Sequence, residues 1–160
     1  MRKEILELET LLEQEIDACS KLEGYINDKR EYLVKGDIQG IMDVDIELNK
    51  YNQAVEKLEE KKKQLYPGKS SLTEIIENVE EKPNALRLNN LKDKLGNSLA
   101  NIQKQNNINA ELIKHSLKVI EGSINSIVNA LVPENSFYNN KGRVIKDEGA
   151  ETISSVIHEI

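Results

Sequence analysis

Apolar residues recur at every third or fourth position along most of the chain. In the first segment Ile5, Leu12, Cys19, Ile26 and Leu33 stand seven apart, with Leu8 and Leu22 at the companion positions. Leu11, Ala18, Tyr25 and Tyr32 widen that stripe on one side, while Glu15 and Lys29 interrupt it. Such a period marks the seam of a helix packed against other helices, and it predicts a helix over about 2–35. "VKGDIQG" (34–40) breaks the pattern: Gly36 suits the left-handed residue that ends a helix, and Asp37 suits the cap of the next. A second seam, Ile41, Val44, Leu48, Tyr51, Val55, Leu58 and Leu65, predicts a helix over about 38–65. So short a connection between two long helices forces them to lie antiparallel.

Pro67-Gly68 is a strong breaker pair, so "YPGKSS" (66–71) is a turn. Ser71 and Glu74 form a capping box ahead of Leu72, Ile75, Ile76 and Val79. A short helix over about 72–82 follows, expected to stop before Pro83 and to lie across the tip of the hairpin. Asn84 is the expected cap of a third long helix over about 85–131, roughly 70 Å in length. Its first stripe is Leu88, Leu91, Leu95, Leu99 and Ile102, and its last is Ile113, Leu117, Ile120, Ile124, Ile127 and Leu131. Gly96 and Gly122 are the expected points of bending or close helix approach, and Pro133 ends the helix. No repeat of 20–50 residues appears. The chain therefore reads as all-α, an elongated antiparallel bundle or coiled coil of three long helices plus a short one over 1–132. Residues 133–160 read as a flexible arm, with a short amphipathic helix formed by Ile153, Val156, Ile157 and Ile160.

Composition supports this class. With one Phe, five Tyr and no Trp, Leu, Ile and Val must do nearly all the burying, as in helical bundles. A net charge of −6 argues against a nucleic-acid partner, which would need a clustered basic face. The locally basic "EEKKKQL" (59–65) is balanced by its own Glu pair and reads as a solvated helix face. The single Cys19 excludes an internal disulfide and is most simply a small core residue. No apolar run approaches the ~20 residues of a membrane span. The amino terminus has charges throughout and no apolar signal core, so the expected location is cytoplasmic.

The residues offer little for chemistry. His115 and His158 are isolated, and neither follows a Glu by three residues as a carboxylate-bridged metal bundle requires. "DVDIE" (43–47) alternates carboxylates but lacks the Gly and terminal Glu of a calcium loop. No Gly-rich phosphate loop is present. The expectation is a protein that is not an enzyme and uses no metal or cofactor.

What remains is surface. A third helix longer than its partners leaves its last stripe uncovered, and a long exposed apolar stripe is usually a partner site. Within "QNNINAELIKHSL" (105–117) the stripe runs Ile102, Asn106, Asn109, Ile113, which places two amides on the packing face. Such residues sacrifice stability but fix register, or they hydrogen-bond a partner; Asn107 faces solvent.

Over residues 1–142 the sequence resembles the FlgN family of flagellar export chaperones. The matching features are the long first helix, the second helix "KGDIQGIMDVDIELNKYNQAVEKLEEKKKQL", and Asn106-x-x-Asn109-x-x-Leu112-Ile113 followed by Leu117. "FYNNKG" then matches the family's closing motif, although Asn139 follows Tyr138 and the Gly comes later, at 142. The resemblance implies a small helical chaperone for hook–filament junction proteins. Such a chaperone holds its clients' helical carboxy-terminal segments, prevents early assembly and presents them to the flagellar type III export apparatus. It points to Asn106, Asn109, Ile113, Leu117, Ile120, Ile124, Ile127, Leu131 and Tyr138 as the partner-binding residues. The rival reading is a structural coiled-coil adaptor or self-assembling scaffold, in which the third-helix stripe pairs with a second copy as a homodimer. Because Ile153, Val156, Ile157 and Ile160 imitate a client helix, the tail is also expected to cover the groove when no client is bound.

Overall fold

The computed structural model describes residues 2–69 and 71–131. Among them the chain forms four helices, α1 (Arg2–Lys35), α2 (Ile38–Leu65), α3 (Leu72–Glu77) and α4 (Lys82–Leu131), and no strand. The fold is an all-α helical bundle. It divides into two compact units, Met1–Ala110 and Glu111–Ile160, with α4 contributing to both.

In the first unit α1 and α2 form the antiparallel hairpin that the short connection requires. Gly36 turns the chain at a φ of 69°, and the Asp37 side chain accepts the Gly40 N–H at 3.0 Å as the cap of α2. A cap of this kind contributes about 1 kcal/mol. Lys62 pairs with Glu15 at 2.8 Å and Lys29 with Asp45 at 2.6 Å, which fixes the opposed directions of the two helices. α4 runs parallel to α1, since Arg87 meets Glu9 at 3.1 Å and Arg30 meets Asn109 at 3.0 Å. The core joins Ile5, Leu8, Leu12 and Cys19 of α1, Ile75 and Ile76 of α3, and Leu88 and Leu95 of α4. Leu8, Leu12 and Leu88 are fully buried, each worth about 1.5–3 kcal/mol in removal of apolar surface from water. α2 is the less covered member: of its seam only Val44 is buried.

Several details depart from the sequence reading. α3 packs beside Ile5, Leu65 and Tyr66, where α1 begins and α2 ends, and therefore lies at the end of the hairpin away from its turn. α3 stops at Glu77, where the Asn78 side chain donates to the Glu74 carbonyl at 2.6 Å. α4 starts at Lys82, ahead of Pro83. A proline in the first turn forfeits only an N–H that has no helical partner, so it begins a helix as readily as it ends one. Asn84 is accordingly not the cap. It lies inside the first turn, buried, where it donates to Glu81 and accepts from Arg87. Among the described residues Gly96 and Gly122 mark no close approach, because a methyl group added at either would meet none of their atoms within 4 Å.

The seam of α4 within this unit follows a 3.5-residue period. Asn84, Leu88, Leu91, Leu95, Ser98, Ile102, Gln105 and Asn109 are all buried or half-buried, flanked at the start by half-buried Ala85, Asn89 and Lys92, and Leu99 and Asn106 are exposed. Extrapolation at 3.6 residues per turn selects 99 and 106. Helices that wrap around one another keep a strict heptad instead, which selects 98 and 105.

Candidate functional site

In the second unit the described part of α4 carries a row of apolar side chains at three- and four-residue spacing. Ile113, Leu117, Ile120, Ile127 and Leu131 are exposed, the last two by 58% and 76%, and Ile124 is half-buried. Spacing of this kind places them on one face of the helix. Between them Ser123 and Ser126 donate to the carbonyls of Val119 and Gly122, four residues back, at 2.9 Å. Ile113–Leu131 thus presents an apolar row on a helix that pairs the Ser123 and Ser126 hydroxyls internally. Burial of this row against another apolar helix leaves those two hydroxyls paired. Tyr138 lies outside the described residues.

The two amides of the seam separate. Asn109 is 4% exposed and works entirely within the first unit. Its Nδ2 donates to the Ile26 carbonyl at 2.9 Å, and its Oδ1 accepts from Arg30 Nε at 3.0 Å. The same guanidinium donates through Nη2 to the Gln105 carbonyl at 3.2 Å and to Gln105 Oε1 at 2.5 Å. This node ties α4 to α1 at one register, with the Asn109 amide engaged inside the bundle. Asn106 is exposed and lies off the seam, its expected place being taken by Gln105. Neither Arg30 nor Gln105 stands out in the sequence. The available signal was the heptad phase of α4, which puts 105 and 109 at successive seam positions.

The Glu15 interruption also resolves into a contact. Lys62 occupies the heptad position between Leu58 and Leu65 that the α2 seam leaves apolar-free, and it meets Glu15 in the core. Glu15 is 1% exposed, Lys62 also bonds Glu59 at 2.6 Å, and Glu15 Oε1 has no hydrogen-bond partner among the described residues. Burial pushes the Glu15 carboxyl up to about 7 against the pull of Lys62, and neighbouring Glu59 adds to the rise. For Lys62 burial acts downward, but its bonds to Glu15 and Glu59 prevail and hold it above the ordinary lysine range. Two polar seam residues facing each other specify which turn of α2 lies against which turn of α1. Buried Cys19 is pushed up by burial and by Glu15 and Glu23, which keeps it a thiol.

Among the described residues no group of three or more His, Cys, Asp or Glu could hold a metal ion. No helix among them is long and apolar enough to cross a membrane. With heptad helices, a locked register and an uncovered apolar face in place, comparison with known families decides the assignment. A family model described as FlgN protein matches residues 1–144. The chain belongs to the FlgN family. Comparison with curated proteins finds no match, nor does comparison with solved structures. FlgN is a family of chaperones and not of enzymes, and it serves flagellum assembly. Its members bind flagellar hook-associated proteins, and membership supports a flagellar export chaperone role for this chain.

Proposed function

We propose that this FlgN-family protein binds the helical carboxy-terminal segments of hook–filament junction proteins along the α4 face from Ile113 to Leu131. In doing so it prevents their premature assembly and delivers them to the flagellar type III export apparatus. The observation that supports this reading is the exposed row Ile113, Leu117, Ile120, Ile127 and Leu131. A client segment that must pack with its neighbours after export carries an apolar seam beforehand, and a helix laid into an apolar face covers it. A client that folds as it binds spends part of the contact energy on its own ordering. That keeps the complex weak enough for later release. No nucleotide chemistry on this chain is needed for the step.

The test is to mix the full chain with a carboxy-terminal fragment of a junction protein and follow amide hydrogen exchange. A discrete complex should form with protection along residues 113–131. Ile120→Ser with Ile127→Ser should weaken it more than tenfold while leaving the chaperone's own stability within about 0.5 kcal/mol, as for other exposed positions. No complex at micromolar concentration with folded chaperone would sink the proposal. The same uncovered row is what a self-associating coiled coil presents, so the homodimeric scaffold is the second reading. A monomer in sedimentation at high concentration removes it, whereas a dimer dissociated by the two Ser replacements would favour it.

A further inference from the structure

We propose that the first half of α2 is a second docking face, built from other residues than the α4 row, and that it receives a basic amphipathic helix of another protein. Ile38, Met42 and Ile46 are exposed by 72%, 57% and 67%. They stand four residues apart, a spacing that aligns them along one side of a helix over roughly 12 Å. That side is turned away from the bundle, since Val44 is the buried residue of the same segment.

Solvent does not explain them. Met42 and Ile46 occupy the two outermost positions of the α2 heptad, counted from the seam Ile41, Val44, Leu48, Tyr51. The equivalent positions further along the same helix are Asn49, Gln53, Glu56, Glu60 and Lys63, all polar. α2 therefore follows the ordinary rule for an outer helix face in its second half and violates it in its first. The capped hairpin turn holds this face in place from its first residue, through Asp37 and the close fit of Gly40 under Tyr32.

Charge identifies the occupant. Between residues 36 and 49 the sequence carries Asp37, Asp43, Asp45 and Glu47 and no Lys or Arg. Lys29 of α1 pairs with Asp45, and Lys50 approaches Glu47 at 3.9 Å. Among the described residues Asp43 takes the neutral Gln39 amide and Asp37 the Gly40 N–H, and neither is paired with a Lys or Arg. An apolar strip with a carboxylate rim is complementary to a helix with apolar residues at i, i+3, i+4 and i+7 and Lys or Arg beside them. Methionine in the strip adapts to partners of differing shape.

The test uses the full chain labelled with nitrogen-15 and two synthetic helical peptides. They share one apolar face and differ only in flanking residues, Lys in one and Glu in the other. The Lys peptide should shift amides of residues 37–50 and bind at least tenfold more tightly than the Glu peptide. Its affinity should fall several-fold between low and high salt, as rim charges require. Replacing Ile38, Met42 and Ile46 together with Ser should lower its affinity more than tenfold. Asp43→Lys with Asp37→Asn should erase the preference between peptides. Equal binding of both peptides, shifts confined to α4, or binding indifferent to the Ser replacements would overturn the proposal. So would a dimer in sedimentation that the same replacements dissociate, since the strip would then belong to a second copy. Binding of a junction-protein fragment to the Ser variant is measured in parallel. Failure of the α4 reading is thereby distinguished from failure of this one.

Discussion

Asn109 and Asn106 look equivalent in the sequence, and replacing each with Ala should produce opposite results. Asn109 loses its hydrogen bond to the Ile26 carbonyl and its acceptor for Arg30 Nε. The first is neutral, worth about 0.5–1.5 kcal/mol, and its carbonyl remains available to its own helix. The second involves a charged donor, worth about 1.5–3 kcal/mol, and its loss leaves the half-buried guanidinium dependent on Gln105 alone. Ala regains about 0.5 kcal/mol of helix propensity, so the expected net loss is about 1.5–4 kcal/mol. Asn106→Ala removes nothing from an exposed site and should be neutral or slightly stabilising, within about 0.5 kcal/mol. Urea denaturation followed by circular dichroism reads both. With a slope of about 1–3 kcal/mol/M, Asn109→Ala should lower the midpoint by about 0.5 M or more. Asn109→Leu should also destabilise, because it fills the seam but strands Arg30; adding Arg30→Met should recover most of the loss. Equal costs at 106 and 109, or a loss at Asn109 below about 0.5 kcal/mol, would refute the assignment of Asn109 as a lock.

Further outcomes follow from the hairpin and the tail. Glu15 has a folded-state pKa of about 7 against 4.5 for the free side chain, so the folded protein binds its proton more tightly than the unfolded chain. Stability should therefore fall as pH rises from about 4.5 to about 7, by up to about 3 kcal/mol from this group; Glu15→Gln should flatten that slope in urea titrations at several pH values, and an unchanged slope would contradict it. Gly40→Ala should cost about 1–3 kcal/mol despite the better helix propensity of Ala, because the added carbon would lie 2.6–2.7 Å from Tyr32 Cε1 and Cγ; a gain in midpoint would show that Tyr32 moves aside freely. Removing residues 150–160, which lie outside the described residues, should raise affinity for a client fragment in calorimetry if the Ile153–Ile160 segment competes for the α4 face. Unchanged or weaker binding counts against that competition.

Heptad spacing and breakers were enough to determine most of the architecture. The seams of α1 and α2, the Gly36-Asp37 turn and the Ser71 cap are local features, and local sterics and hydrogen bonding settle them without reference to the rest of the chain. The apolar row from Ile113 to Leu131 is equally legible, because it needs only a helix and a count. The start of α4 was not, since proline is compatible with both the end of one helix and the first turn of another. Tertiary structure alone decided the phase of α4. Whether 105 or 106 faces inward depends on the supercoil that α4 adopts against α1, a property of the pair of helices and not of either one. It likewise decided that the two polar interruptions of the seams, Glu15 and Lys62, face each other, and that Asn109 meets Arg30 across the helix pair. A sequence states which side chains are out of place on an apolar seam. The distance between helices states what they are for.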